Sequence, residues 1–218
     1  MLIKKISQVL KSVKPFEQAW AKEAQKALQG QRPLWVVLGD SMSLGIGASA
    51  FHKGWVGQAL GMLHRNGKDY AVVNLSKSGA KIEDVLHDQL PALDALSIKP
   101  KIITVLIGSN DLLSPKYRPR LRTNLKELLY HLPKNTIIGN IFDRPSTAMP
   151  LRSLFGHRSA SNLLLKVADQ QKLIVVSLDQ AFKTPWRGKL ASDRYHPNDH
   201  GYKGIALAFI NAMQKIDQ

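Results

Sequence analysis

The stretch that decides the fold is Leu34-Trp35-Val36-Val37-Leu38-Gly39-Asp40-Ser41, where a run of apolar residues passes directly into a polar turn. Five consecutive apolar residues are typical of a short strand that is buried on both faces of a parallel sheet. In an open α/β sheet, ligands bind in the crevice beyond the carboxyl ends of such strands. Ser41 therefore has two interpretations: it caps a following helix, or it attacks a substrate beside the backbone N–H groups of the turn.

The rest of the chain alternates between strand-like and helix-like segments. Apolar runs typical of strands occur at 34–38, 70–75, 102–107, 136–141 and 173–178. Helical patterns occur at 54–66, 81–90, 118–131, 151–170 and 199–214. Because strands separated by helices indicate βαβ units with right-handed crossovers, we predict an α/β protein. Its expected architecture is a three-layer α/β/α sandwich around a central, mostly parallel sheet of about five strands, in the flavodoxin-like order 2-1-3-4-5.

The first 30 residues differ from this pattern and are predicted to form a helical extension of a catalytic-size domain at 31–218. Apolar side chains recur there at helical spacing, with lysines between them: Ile3, Ile6, Leu10 and Val13. Pro15 is expected to start a new helix or to kink this one. The extension either docks on the domain or lies as a basic amphipathic helix on an anionic membrane surface.

The composition limits the classes of partner and of chemistry. The 31 Lys and Arg against 16 Asp and Glu give a formal net charge of +15, which attracts anionic partners. The cations are scattered and accompany no nucleic-acid-binding motif, so we predict a solvated basic surface and no nucleic-acid partner. The chain has no cysteine, which excludes disulfides, thiolate catalysis and cysteine-bound metals.

No segment of the sequence is typical of membrane insertion or secretion. No run approaches the roughly 20 apolar residues of a membrane-spanning helix, and the N-terminal lysines are not followed by an uninterrupted apolar core and a cleavage site. We therefore predict a cytoplasmic protein. Peripheral association with the inner face of a membrane stays open through the basic N-terminal helix.

Four polar loops contain the groups that acyl transfer requires. Three follow the first three predicted strands, and the fourth precedes the last helix, at 39–41, 76–80, 108–111 and 192–197. A serine hydroxyl such as that of Ser41 needs a general base, and histidine, which His196 provides, is the side chain best suited to that task near neutral pH. A tight turn can bring Asp193 to the imidazole, which it would orient. The backbone N–H groups of Ser41 and Gly79 and the Asn110 amide could hold the oxyanion.

The same four loops carry a family resemblance. Gly39-Asp40-Ser41 matches a G-D-S block, Gly79 a second block, Gly108-Ser109-Asn110-Asp111 a G-x-N-D block, and Asp193-Arg194-Tyr195-His196-Pro197 a D-x-x-H-P block. With these four blocks in order, the chain resembles the SGNH hydrolase superfamily, also called GDSL-type esterases and lipases.

The resemblance implies a role for each site residue. Ser41 is then the nucleophile, His196 the general base and Asp193 its orienting acid. The oxyanion hole then consists of Ser41, Gly79 and Asn110.

Other polar residues near these motifs have simpler interpretations. Asp193, His196, Asp199 and His200 could together bind a metal, but this would leave the G-D-S and G-x-N-D motifs unexplained. We therefore predict no metal and no cofactor. We expect Asp111 to hold its loop, Asp40 to serve as a turn or capping residue, and Gly45 and Gly47 to provide loop flexibility.

The sequence as a whole predicts a serine esterase that hydrolyses a small carboxylic ester through an acyl-enzyme. One alternative is a lysophospholipase or thioesterase that the basic N-terminal helix recruits to membranes. The other is a non-catalytic module that binds anionic surfaces on a hydrolase scaffold. The acyl group, the alcohol and the oligomeric state have no sequence pattern that identifies them.

Overall fold

The computed structural model describes residues 2–141, 152–178 and 188–214, which contain a five-stranded sheet. The strands are β1 (Leu34–Gly39), β2 (Ala71–Asn74), β3 (Ile102–Leu106), β4 (Ile137–Gly139) and β5 (Ile174–Val176). They pair in the order β2-β1-β3-β4-β5, and every neighbouring pair is parallel. The predicted fold class and strand order are confirmed.

Helices cover both faces of the sheet. They are α1 (Leu2–Leu10), α2 (Val13–Gln29), α3 (Ser41–Leu44), α4 (Trp55–Arg65), α5 (Ile82–Asp84), α6 (Leu90–Asp94), α7 (Ser109–Leu113), α8 (Leu121–His131), α9 (Arg152–Gln171) and α10 (Asp199–Met213). A π-helical segment, Val85–Gln89, joins α5 to α6, and short 3₁₀ turns occur at Phe51–Lys53 and Arg118–Arg120.

The helical elements differ from the sequence prediction at three places. The helix expected at 81–90 continues to Asp94. A π-helical turn precedes Pro91, and this wider turn accommodates a residue that has no N–H to donate. The helices α3 and α7 have four and five residues, so they are too short to produce a helical periodicity in the sequence.

The alternation of side chains along β1 explains why its sequence is apolar throughout. Trp35 and Val37 point into one hydrophobic core, and Leu34, Val36 and Leu38 point into the other. Helices α4 and α10 supply much of the first core, while α8 and α9 supply much of the second. All six residues of β1 are buried, as expected for a central parallel strand.

Helix α2 packs against the sheet along the edge strand β2. Trp20 is 3% exposed, and its indole Nε1 donates a hydrogen bond of 3.1 Å to the carbonyl oxygen of Leu44. Pro15 lies in the first turn of α2, where the absence of an N–H costs no intrahelical bond, so the predicted new helix is confirmed. The helix covers an edge that would otherwise be open to pairing with another chain.

Helix α1 lies beside this unit with part of its apolar face exposed. Val9 is half-buried against the core, but Ile6 and Leu10 are 39% and 46% exposed. Among the described residues, no helix is long and apolar enough to cross a bilayer.

Candidate active site

The turn after β1 places Ser41 at the start of α3. Asp40 is the capping residue, because its carboxylate accepts a hydrogen bond of 2.9 Å from the Met42 N–H. Ser41 is the first residue of the helix, so the interpretation of Ser41 as the cap is wrong and the capping role expected for Asp40 is confirmed. The preceding Gly39 has φ of +149°, and a Cβ there would lie 2.4 Å from the carbonyl oxygen of Leu106.

A tight turn near the C-terminus joins Asp193 to His196. The turn is closed by an antiparallel bridge between Leu190 and Pro197. Asp193 Oδ1 accepts hydrogen bonds of 2.9 and 3.0 Å from the N–H groups of Tyr195 and His196, and Oδ2 lies 2.6 Å from His196 Nδ1. The carboxylate therefore holds both the backbone of the turn and the imidazole ring.

The structure brings Ser41, His196 and Asp193 into one hydrogen-bonded chain. His196 Nε2 lies 2.9 Å from Ser41 Oγ, and the three residues are 4–6% exposed. With Nδ1–H donated to the carboxylate, Nε2 is the acceptor that faces the hydroxyl. An imidazole placed in this way can take the hydroxyl proton as the oxygen attacks an electrophile.

The electrostatics of Asp193 favour its ionised form. Burial acts to raise the pKa of the carboxyl. The hydrogen bond and charge of His196, together with the two backbone donors, outweigh burial and hold the pKa below its usual value. An ionised carboxylate at this position stabilises the imidazolium that proton transfer would create.

Asn110 joins the loops that follow the first three strands. Its Nδ2 donates a hydrogen bond of 2.9 Å to the Ala80 carbonyl and lies 3.4 Å from Asp40 Oδ2. Gly79 has φ of +77°, and a Cβ there would meet no atom within 4 Å. Its backbone conformation therefore requires glycine, and its open side leaves room for a ligand. Within the described ranges, the N–H groups of Ser41 and Gly79 donate to no acceptor.

Asp111 contacts the chain at the end of the loop that follows β2. It is fully buried, and its two carboxylate oxygens lie 3.3 and 3.2 Å from the Ile82 N–H at the start of α5. Burial raises the pKa of this carboxyl to about 6, against the lowering effect of its backbone donors. The contact agrees with the loop-holding role expected for Asp111.

Sequence reasoning missed Gln89, whose side chain clamps the end of β1. Gln89 Nε2 donates to the Gly39 carbonyl at 2.9 Å, and Gln89 Oε1 accepts from the Gly39 N–H at 2.8 Å. The side chain is 1% exposed and comes from the π segment, 50 residues from Gly39. No local pattern marks a glutamine for this role, so the sequence offered no means of finding it.

Gly47 is a second residue whose role the sequence analysis misjudged. A Cβ at this position would lie 2.7 Å from His196 Cβ and 2.5 Å from the Pro197 carbonyl oxygen. Gly45, with φ of +88°, forms the left-handed C-cap of α3. The expectation that both glycines provide loop flexibility is therefore wrong, because each meets a steric requirement. In the sequence, the spacing of Gly45 and Gly47 was the only pattern that marked these two positions.

Polar contacts fix this glycine loop to the first turn of α10. Tyr202 donates its hydroxyl to the Ile46 carbonyl at 2.6 Å. Ser49 donates its N–H and hydroxyl to the Asp199 carboxylate at 2.7 and 2.6 Å. Asp199 is thus engaged in holding the loop. Among the residues that the structure describes, no group of three or more acidic or histidine side chains is placed to hold a metal ion.

Solved structures with the same fold include several ester hydrolases. TesA is 26% identical, with a TM-score of 0.68 over 84% of this chain and 99% of that chain. Axe2, an acetylxylan esterase from Geobacillus stearothermophilus, is 22% identical, with a TM-score of 0.67 over 84% and 95%. EstA, a psychrotrophic esterase from Pseudoalteromonas sp., is 21% identical, with a TM-score of 0.62 over 84% and 97%.

A match to a protein-family model extends from the middle of β1 into α10. The matched residues, 37–203, contain all four polar loops and most of the chain. A search of curated proteins found no match. The family match shows that this chain belongs to the GDSL-like lipase/acylhydrolase family and is a serine hydrolase that acts on ester bonds.

Proposed function

We propose that the protein is a serine esterase in which Ser41 is the nucleophile, His196 the general base and Asp193 the acid that orients His196. The observation that carries the proposal is the buried chain of contacts from Ser41 Oγ to His196 Nε2 at 2.9 Å and from His196 Nδ1 to Asp193 Oδ2 at 2.6 Å. The substrate is a small carboxylic ester.

The reaction proceeds through an acyl-enzyme. His196 accepts the proton of Ser41 as Oγ attacks the ester carbonyl, and the imidazolium then protonates the departing alcohol. Water next attacks the acyl-enzyme while His196 takes its proton. Collapse of the second tetrahedral intermediate releases the carboxylic acid and returns the proton to Ser41.

The oxyanion of both intermediates is held by the N–H groups of Ser41 and Gly79 and by the Asn110 amide. One amide hydrogen of Asn110 is held by the Ala80 carbonyl. The other faces Asp40 Oδ2 at the long distance of 3.4 Å, and it would turn to the developing oxyanion instead. Asn110→Ala should therefore lower kcat by about 100- to 1000-fold, the usual effect of losing one such donor.

The direct test is hydrolysis of short para-nitrophenyl esters by the purified protein. Ser41→Ala should abolish turnover and labelling by a phosphonate ester. Ser43→Ala is a matched control, because Ser43 also carries a buried hydroxyl on α3, and that hydroxyl has no hydrogen-bond partner among the described residues. Turnover that survives Ser41→Ala but is lost to a chelator would replace the serine mechanism with a metal mechanism.

A second candidate is a lysophospholipase or thioesterase that acts at an anionic membrane surface. It is favoured by the exposure of Ile6 and Leu10 on α1, next to the lysines at 4, 5, 11 and 14. Deleting the first 30 residues would also remove the buried Trp20, so point variants are the sharper test. Changing Ile6 and Leu10 to Ser should lower activity on lysophospholipid in anionic vesicles while leaving activity on soluble esters unchanged.

A further inference from the structure

Two lysine ammonium groups lie against one aromatic ring beside the candidate active site. Lys81 Nζ lies 4.8 Å and Lys116 Nζ 5.1 Å from the centre of the Tyr117 ring. We refer to Lys81, Lys116 and Tyr117 as the cationic rim. An aromatic ring attracts cations that lie over it, so Tyr117 offsets part of the repulsion between these two like charges.

The cationic rim adjoins the loop that contains Gly79. Lys81 Nζ donates a hydrogen bond of 3.2 Å to the Gly79 carbonyl, two residues away in the chain. Tyr117 and Lys116 follow α7, the helix that carries Asn110. The rim thus joins the loops after β2 and β3, which carry two of the three oxyanion donors in the proposed function.

The position of this loop relative to Ser41 is determined by short contacts. Asn110 Nδ2 lies 2.9 Å from the Ala80 carbonyl and 3.4 Å from a carboxylate oxygen of Asp40, the residue before Ser41. Gly79 precedes Ala80, so the Lys81 ammonium lies at the same edge of the sheet as the Ser41 hydroxyl. Lys81 itself is only partly exposed, and Lys116 is exposed at the outer side.

Acidic groups among the described residues offset the positive charge of the cationic rim only in part, through the charge of Lys81 acting on the buried Asp111 carboxyl. Within the described part of the chain, neither Lys81 nor Lys116 forms an ion pair. The nearby acidic groups have other partners. Asp84 accepts from the Lys81 backbone N–H, Glu83 accepts from Asn124, and Asp111 is buried against Ile82. Two neighbouring cations on the protein surface attract anions.

We propose that Lys81 and Lys116 form a subsite for an anionic group, a carboxylate or phosphate, carried by the ester substrate at a few bonds from the scissile carbonyl. The proposal rests on the proposed function, because it places the ester carbonyl at Ser41. It adds the substrate class: esters whose acyl or alcohol part bears a negative charge.

The test compares each anionic ester with its neutral, methyl-capped counterpart. The pair para-acetoxybenzoate and methyl para-acetoxybenzoate carries the charge on the alcohol. The mono-para-nitrophenyl ester of adipic acid and its methyl-capped analogue carry the charge on the acyl part. We expect kcat/KM to be higher for the anionic member of at least one pair, and the pair that shows the preference identifies the side on which the subsite lies.

Lys116→Gln should reduce this preference by about threefold to fivefold, as expected for loss of one partly exposed ion pair. Raising the ionic strength should reduce the preference of the natural protein in the same direction. Lys126→Gln is the matched control, because Lys126 also lies over an aromatic ring, at 5.9 Å from the Tyr130 ring centre, but in the middle of α8. It changes the net charge by the same amount and should leave the preference unchanged.

A binding measurement separates failure of this inference from failure of the proposed function. Calorimetry on the Ser41→Ala variant should show tighter binding of the anionic ester than of its neutral counterpart, with the difference reduced by Lys116→Gln. Equal binding and equal kcat/KM within both pairs would overturn the subsite while leaving the esterase intact. Identical effects of Lys116→Gln and Lys126→Gln on the preference would overturn it as well.

Discussion

Gly47→Ala is the sharpest test of how the structure positions His196. The new Cβ would lie 2.7 Å from His196 Cβ and 2.5 Å from the Pro197 carbonyl oxygen. To reach an ordinary contact of about 3.5 Å, the turn that carries His196 would have to move by about 0.8–1.0 Å. Hydrogen bonds of Ile46 with Tyr202 and of Ser49 with Asp199 hold the Gly47 loop on α10, so we expect the His196 turn to move.

A displacement of this size breaks the contact between His196 and Ser41. The present distance of 2.9 Å between Nε2 and Oγ would become longer than a hydrogen bond. Because misplacing a catalytic group by about 1 Å can cost about 100-fold in rate, we expect kcat on a para-nitrophenyl ester to fall by about that factor.

Gly67→Ala separates this effect from the strain of alanine in a left-handed backbone conformation. Gly47 and Gly67 have φ of +98° and +76°, so alanine should lower the free energy of unfolding by about 1–2 kcal/mol at either site. A Cβ at Gly67, however, would meet no atom within 4 Å. Denaturant unfolding and steady-state kinetics on both variants are the measurements. If the two variants lost activity equally, or if Gly47→Ala kept full kcat, the positioning argument would be refuted.

Three further changes test the contacts around the site. Gln89→Leu leaves the N–H of Gly39 buried without a partner and its carbonyl with only the 3.3 Å bond from the Lys77 N–H, so we expect the free energy of unfolding in urea to fall by about 1–3 kcal/mol. Trp20→Phe removes the hydrogen bond to the Leu44 carbonyl and should lower the free energy of unfolding by about 1–3 kcal/mol. The variant should still unfold in urea in a single transition. Asp111 has a pKa raised to about 6, so its carboxyl holds a proton more tightly in the native protein than in the unfolded chain. The contribution of Asp111 to the free energy of unfolding is therefore fully present below about pH 4, and about 3 kcal/mol of it is lost as the pH rises through 6. Asp111→Asn should abolish this loss.

Each of these expectations has an outcome that contradicts it. An unchanged urea midpoint for Gln89→Leu would mean that the clamp contributes nothing. Two separate transitions in Trp20→Phe would mean that α2 unfolds independently of the sheet. For Asp111, the exposed Asp94 provides the control: if Asp94→Asn flattened the pH dependence as much as Asp111→Asn did, the buried carboxyl would not be its source.

The sheet could be predicted from the sequence because burial on both faces leaves an unbroken apolar run. Leu34 to Leu38 form such a run, and the structure places alternate members of it in two separate cores. The ends of strands were less predictable. The strand predicted at 136–141 is longer than the paired residues Ile137–Gly139, because Ile141, beyond the last paired residue, is still buried in the second core.

The residues of the candidate site could be named for a different reason. Ser41, Asn110, Asp193 and His196 each lie in a short block of polar and turn-forming residues, and such blocks stand out against the apolar strands. The residues that position them have no such local pattern. Gln89, Gly47 and Tyr202 act on parts of the chain that are about 50 to 156 residues away, where only the folded backbone brings the partners together.

The sequence by itself determined the parallel α/β class and the residue types at the carboxyl edge of the sheet, because hydrophobic periodicity and turn chemistry are local properties. The strand order was predicted from the order that is common in flavodoxin-like folds. Only the tertiary structure decided that Gly47 leaves space for the turn of His196. The tertiary structure also brings Ser41 and His196, which are 155 residues apart in the sequence, to a contact of 2.9 Å. Contacts of this kind depend on packing between distant elements, and packing is a property of the whole fold.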